Sequence, residues 1–372
     1  MALSWSLFVA RGELPELEHA LVRACELCEQ LGENSKLMQA LLALAHYRRL
    51  DFAVAREMAE RVIALAQQTT APLMLAGANF VLGLVESAMG QLPAAREHLE
   101  RAIELSGRGP ARNYDAYFAQ GGPNVYVFVL IQLGYPSTAR TRAEELIAAV
   151  RRSSDPYWLA TVLFLDGVRH LVLRDTRMLA ERTDEILSIA TVYAMPINLI
   201  AATFFRGWVM AVSGCGEEGL AEMRRSLSDP RLAVTMGRAM LRTVLAEACG
   251  KQGLAEEGLD LVAEGLATVE QTGQRNAEVE LYRVKGELLI VKDPDNVAEA
   301  ERCLRTAIDI ARRQCAKLFE LRATVSLARL LRDTGRRDEA HSTLADIYNW
   351  FTEGFDTADL KEAKTLLDEL GS

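Results

Sequence analysis

The chain lacks most of the patterns on which a catalytic or membrane assignment would rest. It contains no G-x-x-x-x-G-K-[ST] loop to cradle phosphates and no H-E-x-x-H pair for zinc. Cys25-x-x-Cys28 has no second Cys or His pair at ligand spacing, and a zinc site needs four ligands, so no metal or cofactor is expected. The remaining cysteines, Cys215, Cys249, Cys303 and Cys315, are dispersed. Such scatter suits a reducing compartment and predicts a cytoplasmic protein. Basic residues are outnumbered: the formal net charge of −9 lacks the positive footprint of a phosphate-backbone binder, and no nucleic-acid partner is expected. Long apolar runs are missing too. The uncharged stretch between Arg61 and Glu86 is broken at residues 67–72, and that between Glu185 and Arg206 at Pro196 and Asn198. Each reads as helix, loop and helix, which argues against a membrane span. The opening MALSWSLFVARGE has no basic stretch before its apolar one, so no signal peptide is expected.

What remains is rich in alanine and leucine, which lose little or no side-chain entropy in a helix, while aromatics make up 6%. Between Ala78 and Ala102, a small residue in mid-helix (Gly83) is followed by a turn glycine (Gly90), then by small residues at Ala95 and Ala102 with Leu99 between them. This is the tetratricopeptide spacing. Two antiparallel helices cross with backbones nearly touching only where side chains are tiny, and a large residue plugs the groove beside the contact. The frame recurs as Trp5/Leu17/Ala24, Ala43/Ala55/Val62, Gly83/Ala95/Ala102, Val127/Ala139/Leu146 and Gly167/Leu179/Ile186. It continues as Gly207/Gly219/Ser226, Ala246/Gly258/Gly265, Gly286/Ala300/Ala307 and Ala328/Ala340/Ile347, with Gly167 heading the loosest match. Turn glycines fall at Gly12, Gly90, Gly134, Gly214, Gly253 and Gly335. The predicted fold is all-α: a tetratricopeptide-like right-handed superhelical solenoid of about nine helical hairpins with a C-terminal capping helix. Residues 1–349 form the repeat array and 350–372 the capping segment. The few residues before Trp5 suggest a start inside a larger array.

The stretches Ala277–Leu289, Ala298–Gln314, Glu320–Leu330 and Trp350–Lys364 closely resemble the C-terminal repeat region of bacterial multidomain proteins. In those proteins an adenylate/guanylate cyclase domain and a STAND/AAA-type ATPase module precede tetratricopeptide repeats. Ala24–Gly32 and Gly216–Leu220 resemble the same family. The resemblance implies a regulatory arm of a signalling protein and carries over no catalytic residue. The chain is therefore not expected to be an enzyme.

Several motifs admit two readings. Gly214-Cys-Gly216-Glu-Glu-Gly219 fits G-x-G-x-x-G, but falls between two helices rather than after a strand. The histidines His19, His46, His98, His170 and His341 are isolated. Residues 302–337 are rich in arginine and precede an acidic tail, which fits either a solvated face or a docking patch for an acidic partner. In tetratricopeptide superhelices the first helix of each hairpin lines the concave face. Counting from each small residue places Phe80, Leu84, Phe128, Ile131, Phe164, Val168, Phe204 and Trp208 on a central apolar groove. Glu247, Arg283, Glu287, Arg322, Arg329 and Arg332 fall on a charged C-terminal groove. The expected partner is a protein or peptide, with an upstream cyclase or ATPase domain of a parent protein as one candidate. The alternatives are a small-molecule sensor like those of STAND transcription activators, and a closed superhelix that buries these rings against its own neighbours.

Overall fold

Repeated apolar faces, capped at polar turns, fold this chain into antiparallel helices. The computed structural model describes residues 15–67, 71–106, 114–153, 155–233 and 237–371, and among them there is no strand. The predicted first helix around Trp5 and the turn at Gly12 lie outside the described residues. The chain divides into two compact units, Met1–Val129 with Met195–Ile197, and Leu130–Ala194 with Asn198–Ser372.

The first unit contains α1 (Pro15–Leu31), α2 (Asn34–Tyr47), α3 (Phe52–Ala66), α4 (Pro72–Ala88) and α5 (Leu92–Ser106); the unit boundary falls within α6 (Tyr114–Leu133). Asp51 caps α3 by accepting from the Val54 amide at 3.2 Å. The α4–α5 hairpin shows why the small residue is needed. A Cβ on Gly83 would lie 2.6 Å from Leu99 Cγ and 3.2 Å from the Ala95 carbonyl oxygen, so the leucine fills the space the glycine leaves.

The second unit contains α7 (Pro136–Ser153), α8 (Pro156–Val172), α9 (Thr176–Val192), α10 (Pro196–Val212, beyond its first residues), α11 (Gly216–Ser228) and the single turn α12 (Pro230–Ala233). It continues with α13 (Arg238–Lys251), α14 (Ala255–Thr272), α15 (Glu278–Lys292), α16 (Val297–Gln314), α17 (Lys317–Asp333), α18 (Arg337–Tyr348) and α19 (Ala358–Gly371). Asp155 and Asp175 cap α8 and α9. In α10 and α11 the close approach is tighter still: a Cβ on Gly219 would sit 2.5 Å from the Gly207 carbonyl oxygen. Gly214-Cys-Gly216 is the turn between these helices, so the G-x-G-x-x-G run is structural.

Gly90, Gly134, Gly214, Gly253 and Gly335 all have positive φ, as the turn requires. In the loosest repeat the same position is held by Arg174, which adopts φ 56° without being glycine. After α18 the chain runs irregularly from Trp350 to Thr357, and α19 then packs on α17 and α18 through Leu360, Ala363, Leu366 and Leu370. Among the described residues, no helix is long and apolar enough to cross a membrane.

Candidate functional site

In the second unit, charge that sequence reasoning spread along a groove is gathered into a buried cluster. Arg283 on α15 is 1% exposed. Its guanidinium donates to Glu280 at 2.8 and 3.0 Å, to Glu287 at 2.9 Å and to Glu247 of α13 at 3.1 Å. Arg322 on α17 grips Asp359 of α19 with two hydrogen bonds of 2.7 and 2.8 Å, reaches Glu280 at 3.3 Å, and donates to the Val172 carbonyl at the end of α8. Arg174 joins Glu247 at 3.0 Å and Glu362 at 3.3 Å. The fork of an arginine suits this task, because each N–H finds its own acceptor. Burial opposes ionisation of Glu247, yet Arg174 and Arg283 hold its carboxyl well below the ordinary range. Burial likewise opposes charge on Asp359, and Arg322 outweighs it. Beside the cluster lies a cavity of about 200 Å³, lined by Arg174, Glu247, Arg283, Arg322, Arg329 and Glu362 among others.

A larger cavity, about 590 Å³, opens between α7, the α8–α9 turn and the start of α19. Six cations line it: Arg140, Arg169, Arg174, Arg177, Arg182 and Lys361. Three carboxylates line it with them, Glu144, Asp175 and Asp356, while Asp166, Glu247 and Glu362 behind the lining pair with Arg169, Arg182 and Arg174; arginine and lysine still outnumber acids on the lining itself. Its floor is built. Buried Asp166 accepts from Arg169 and from Arg182, each at 2.7 Å. Burial alone would raise the Asp166 carboxyl, but His170 and Arg169 hold it well below the ordinary range. His170 sits among these groups, its Nε2 2.7 Å from Arg169 Nη2 and 3.4 Å from Asp166 Oδ2, its Nδ1 3.2 Å from Asp175.

The residues expected to form the grooves are distributed differently. In the first unit, Phe80 is 2% exposed and belongs to the core, while Leu84 and Phe128 are half-buried. In the second unit Phe204 and Ile131 are fully buried and Trp208 is 8% exposed, so these side chains are core rather than an open aromatic groove. The physical reason is that neighbouring helices cover the counted face. Phe164 stacks on Phe205 with ring centroids 5.7 Å apart, and Phe164 and Val168 lie half-buried against the same core. Trp208 still borders a small cavity of about 30 Å³, with Arg174 and Arg322. Arg283 and Arg322 are buried in ion pairs rather than presented to a partner. Arg329 pairs with Glu362 and Arg332 with Asp333 and Glu369. The arginine-rich stretch is thus balanced in part by the acidic tail, and in part by Glu301, Glu320 and Glu339, which pair with Arg305, Arg312 and Arg336.

Sequence counting missed Arg174, Glu280 and Asp359. Arg174 carried a readable signal, since it stands where the repeat frame calls for a turn glycine. Cys25 is buried and Cys28 half-buried, and among the described residues no group of three or more His, Cys, Asp or Glu could hold a metal ion.

No protein-family model matches the chain, and no curated protein was found to match it. Solved structures do. A Rap protein complexed with competence and sporulation factor superposes over 100% of both chains with a TM-score of 0.58 at 10% identity. Yeast Tom70 matches with a TM-score of 0.38 and 11% identity over 96% of each chain. A STAND protein with a tetratricopeptide repeat sensor from Pyrococcus horikoshii matches 98% of this chain and 56% of its own, with a TM-score of 0.43 and 15% identity. At such identities the likeness is one of fold: the chain is an all-helical, superhelical repeat protein of tetratricopeptide type.

Proposed function

We propose that the chain is a non-catalytic interaction domain that binds an acidic protein segment or peptide in the basic cavity of its second unit. The observation that carries this reading is the excess of arginine and lysine around a 590 Å³ cavity in an acidic chain. Local potential of the opposite sign to the net charge selects partners and speeds encounter. The Rap protein of similar fold was solved with competence and sporulation factor, which accords with a repeat fold that holds a ligand. An upstream cyclase or ATPase domain of a parent protein remains the partner suggested by sequence resemblance. A small anionic molecule is the second reading, favoured by a volume within the usual range for ligand pockets, ~300–1,000 Å³.

The test is fluorescence anisotropy with a labelled peptide carrying glutamate at every third position, on the intact protein and on Arg177→Glu/Lys361→Glu. Both substituted side chains lie at the surface of the cavity. Charge reversal is expected to weaken binding by about tenfold or more, and added salt to weaken the intact protein's binding. Binding indifferent to both changes would overturn the reading. Stabilisation by a small dicarboxylate in a thermal-shift assay, without peptide binding, would favour the second.

A further inference from the structure

The segment between α18 and α19 already does what an acidic partner would do. Along Trp350–Glu362 a carboxylate recurs at every third residue: Glu353, Asp356, Asp359 and Glu362. Each meets a donor. Glu353 accepts from the amide and the hydroxyl of Thr138 at 2.9 and 2.8 Å, in the first turn of α7 and 215 residues away in sequence. Asp356 pairs with Arg140 at 2.9 Å, Asp359 with Arg322, and Glu362 with both Arg174 and Arg329. Trp350 lies over Gly134 and Tyr135, and Gly354 has φ 79° against Pro136, where a Cβ would lie 2.2 Å from the ring. Asp356 and Thr357 also line the 590 Å³ cavity.

We infer that the loop Trp350–Thr357, which walls one side of the acidic-partner cavity, is an internal competitor for its donors, and that a partner segment with carboxylates three residues apart displaces it. The inference rests on the reading of the cavity given above and names the partner's chemistry. The loop is irregular between two firmly packed ends, Phe351 at 4% and Leu360 at 1% exposure. Its middle is held differently. Arg140 and Asp356 retain 49% and 58% side-chain exposure, and the Glu353 contacts are also exposed. Exposed pairs of this kind contribute little to stability, so an incoming carboxylate exchanges with them at small net cost. Tethering favours the loop through its high effective concentration, which makes it a built-in competitor that sets the threshold for partner binding.

The probe is a labelled peptide with the chain's own sequence from 350 to 362, alongside a version in which Asp and Glu are replaced by Asn and Gln. The proteins are the intact chain and its Glu353→Gln/Asp356→Asn variant, which alters one half-buried and one exposed carboxylate and leaves buried Asp359 in place. The acidic peptide is expected to bind the variant about tenfold more tightly than the intact chain, and the neutral peptide to bind neither. Peptide bound to the intact chain should also raise amide exchange in residues 350–357. Equal affinity for both proteins would overturn displacement while leaving the acidic-partner reading standing. No binding of any acidic peptide to either protein would overturn both.

Discussion

Arg174 shows how one residue can serve a contact at the expense of its own backbone. The turns that end the first helices of neighbouring repeats use glycine at this position because left-handed backbone crowds a Cβ. Here a long cation takes the same conformation and reaches Glu247 and Glu362. Replacing it separates the two effects. Arg174→Ala loses the ion pairs and keeps the crowded backbone, whereas Arg174→Gly loses the pairs and relaxes it. The glycine variant is therefore expected to be more stable than the alanine variant by about 1 kcal/mol in denaturant unfolding. Equal stability would show that the turn carries no strain.

Among elements, α17 ties the second unit together through Arg322. It joins α15 by Glu280, α19 by Asp359 and the last turn of α8 by the Val172 carbonyl. Arg322→Met would leave Asp359 and the Val172 carbonyl buried without this donor, while Glu280 keeps Arg283, and a broken buried pair costs ~3–5 kcal/mol. Asp359→Asn should then cost several times less in the Arg322→Met background than alone; additive costs in a double-mutant cycle would show that the pair is not coupled. The hairpins themselves were legible in the sequence, because small residues and turn glycines at fixed spacing have local causes. Gly83 with Leu99 is one instance, and Gly207 with Gly219 another. The inner face was not legible in the same way. Phe204 reads as a groove residue by its offset from Gly207, and only the neighbouring helix, which lays Phe164 on Phe205, shows that this face is covered. Arg322 reads as a free cation until α19 returns Asp359 to it from 37 residues further on.

For the molecule as a whole, acid should act on the two units with opposite sign. In the second, Asp166, Glu247, Glu280 and Asp359 titrate below their ordinary values of 3.8 for Asp and 4.5 for Glu. A depressed carboxyl contributes stability that is complete above its unfolded value and is lost as pH falls through its folded one. In the first, burial raises the Glu86 carboxyl above 4.5, and Arg56 and His98 only partly offset this. A raised carboxyl contributes fully below its unfolded value and loses that contribution as pH rises through the folded one, so acid relieves Glu86 rather than harming it. Below about pH 4 the second unit should therefore lose protection first. Trp158, Trp208 and Trp350 lie in that unit and Trp5 in the first, so the tryptophan fluorescence of a Trp5→Phe variant is its reporter. The fluorescence transition is expected at higher pH than the loss of helical circular dichroism from the remaining structure, with amide exchange in α4 and α5 still slow at its midpoint. A single acid transition in which α4 and α5 lose protection together with α15 and α17 would show that the buried ion cluster does not set the acid stability of the second unit.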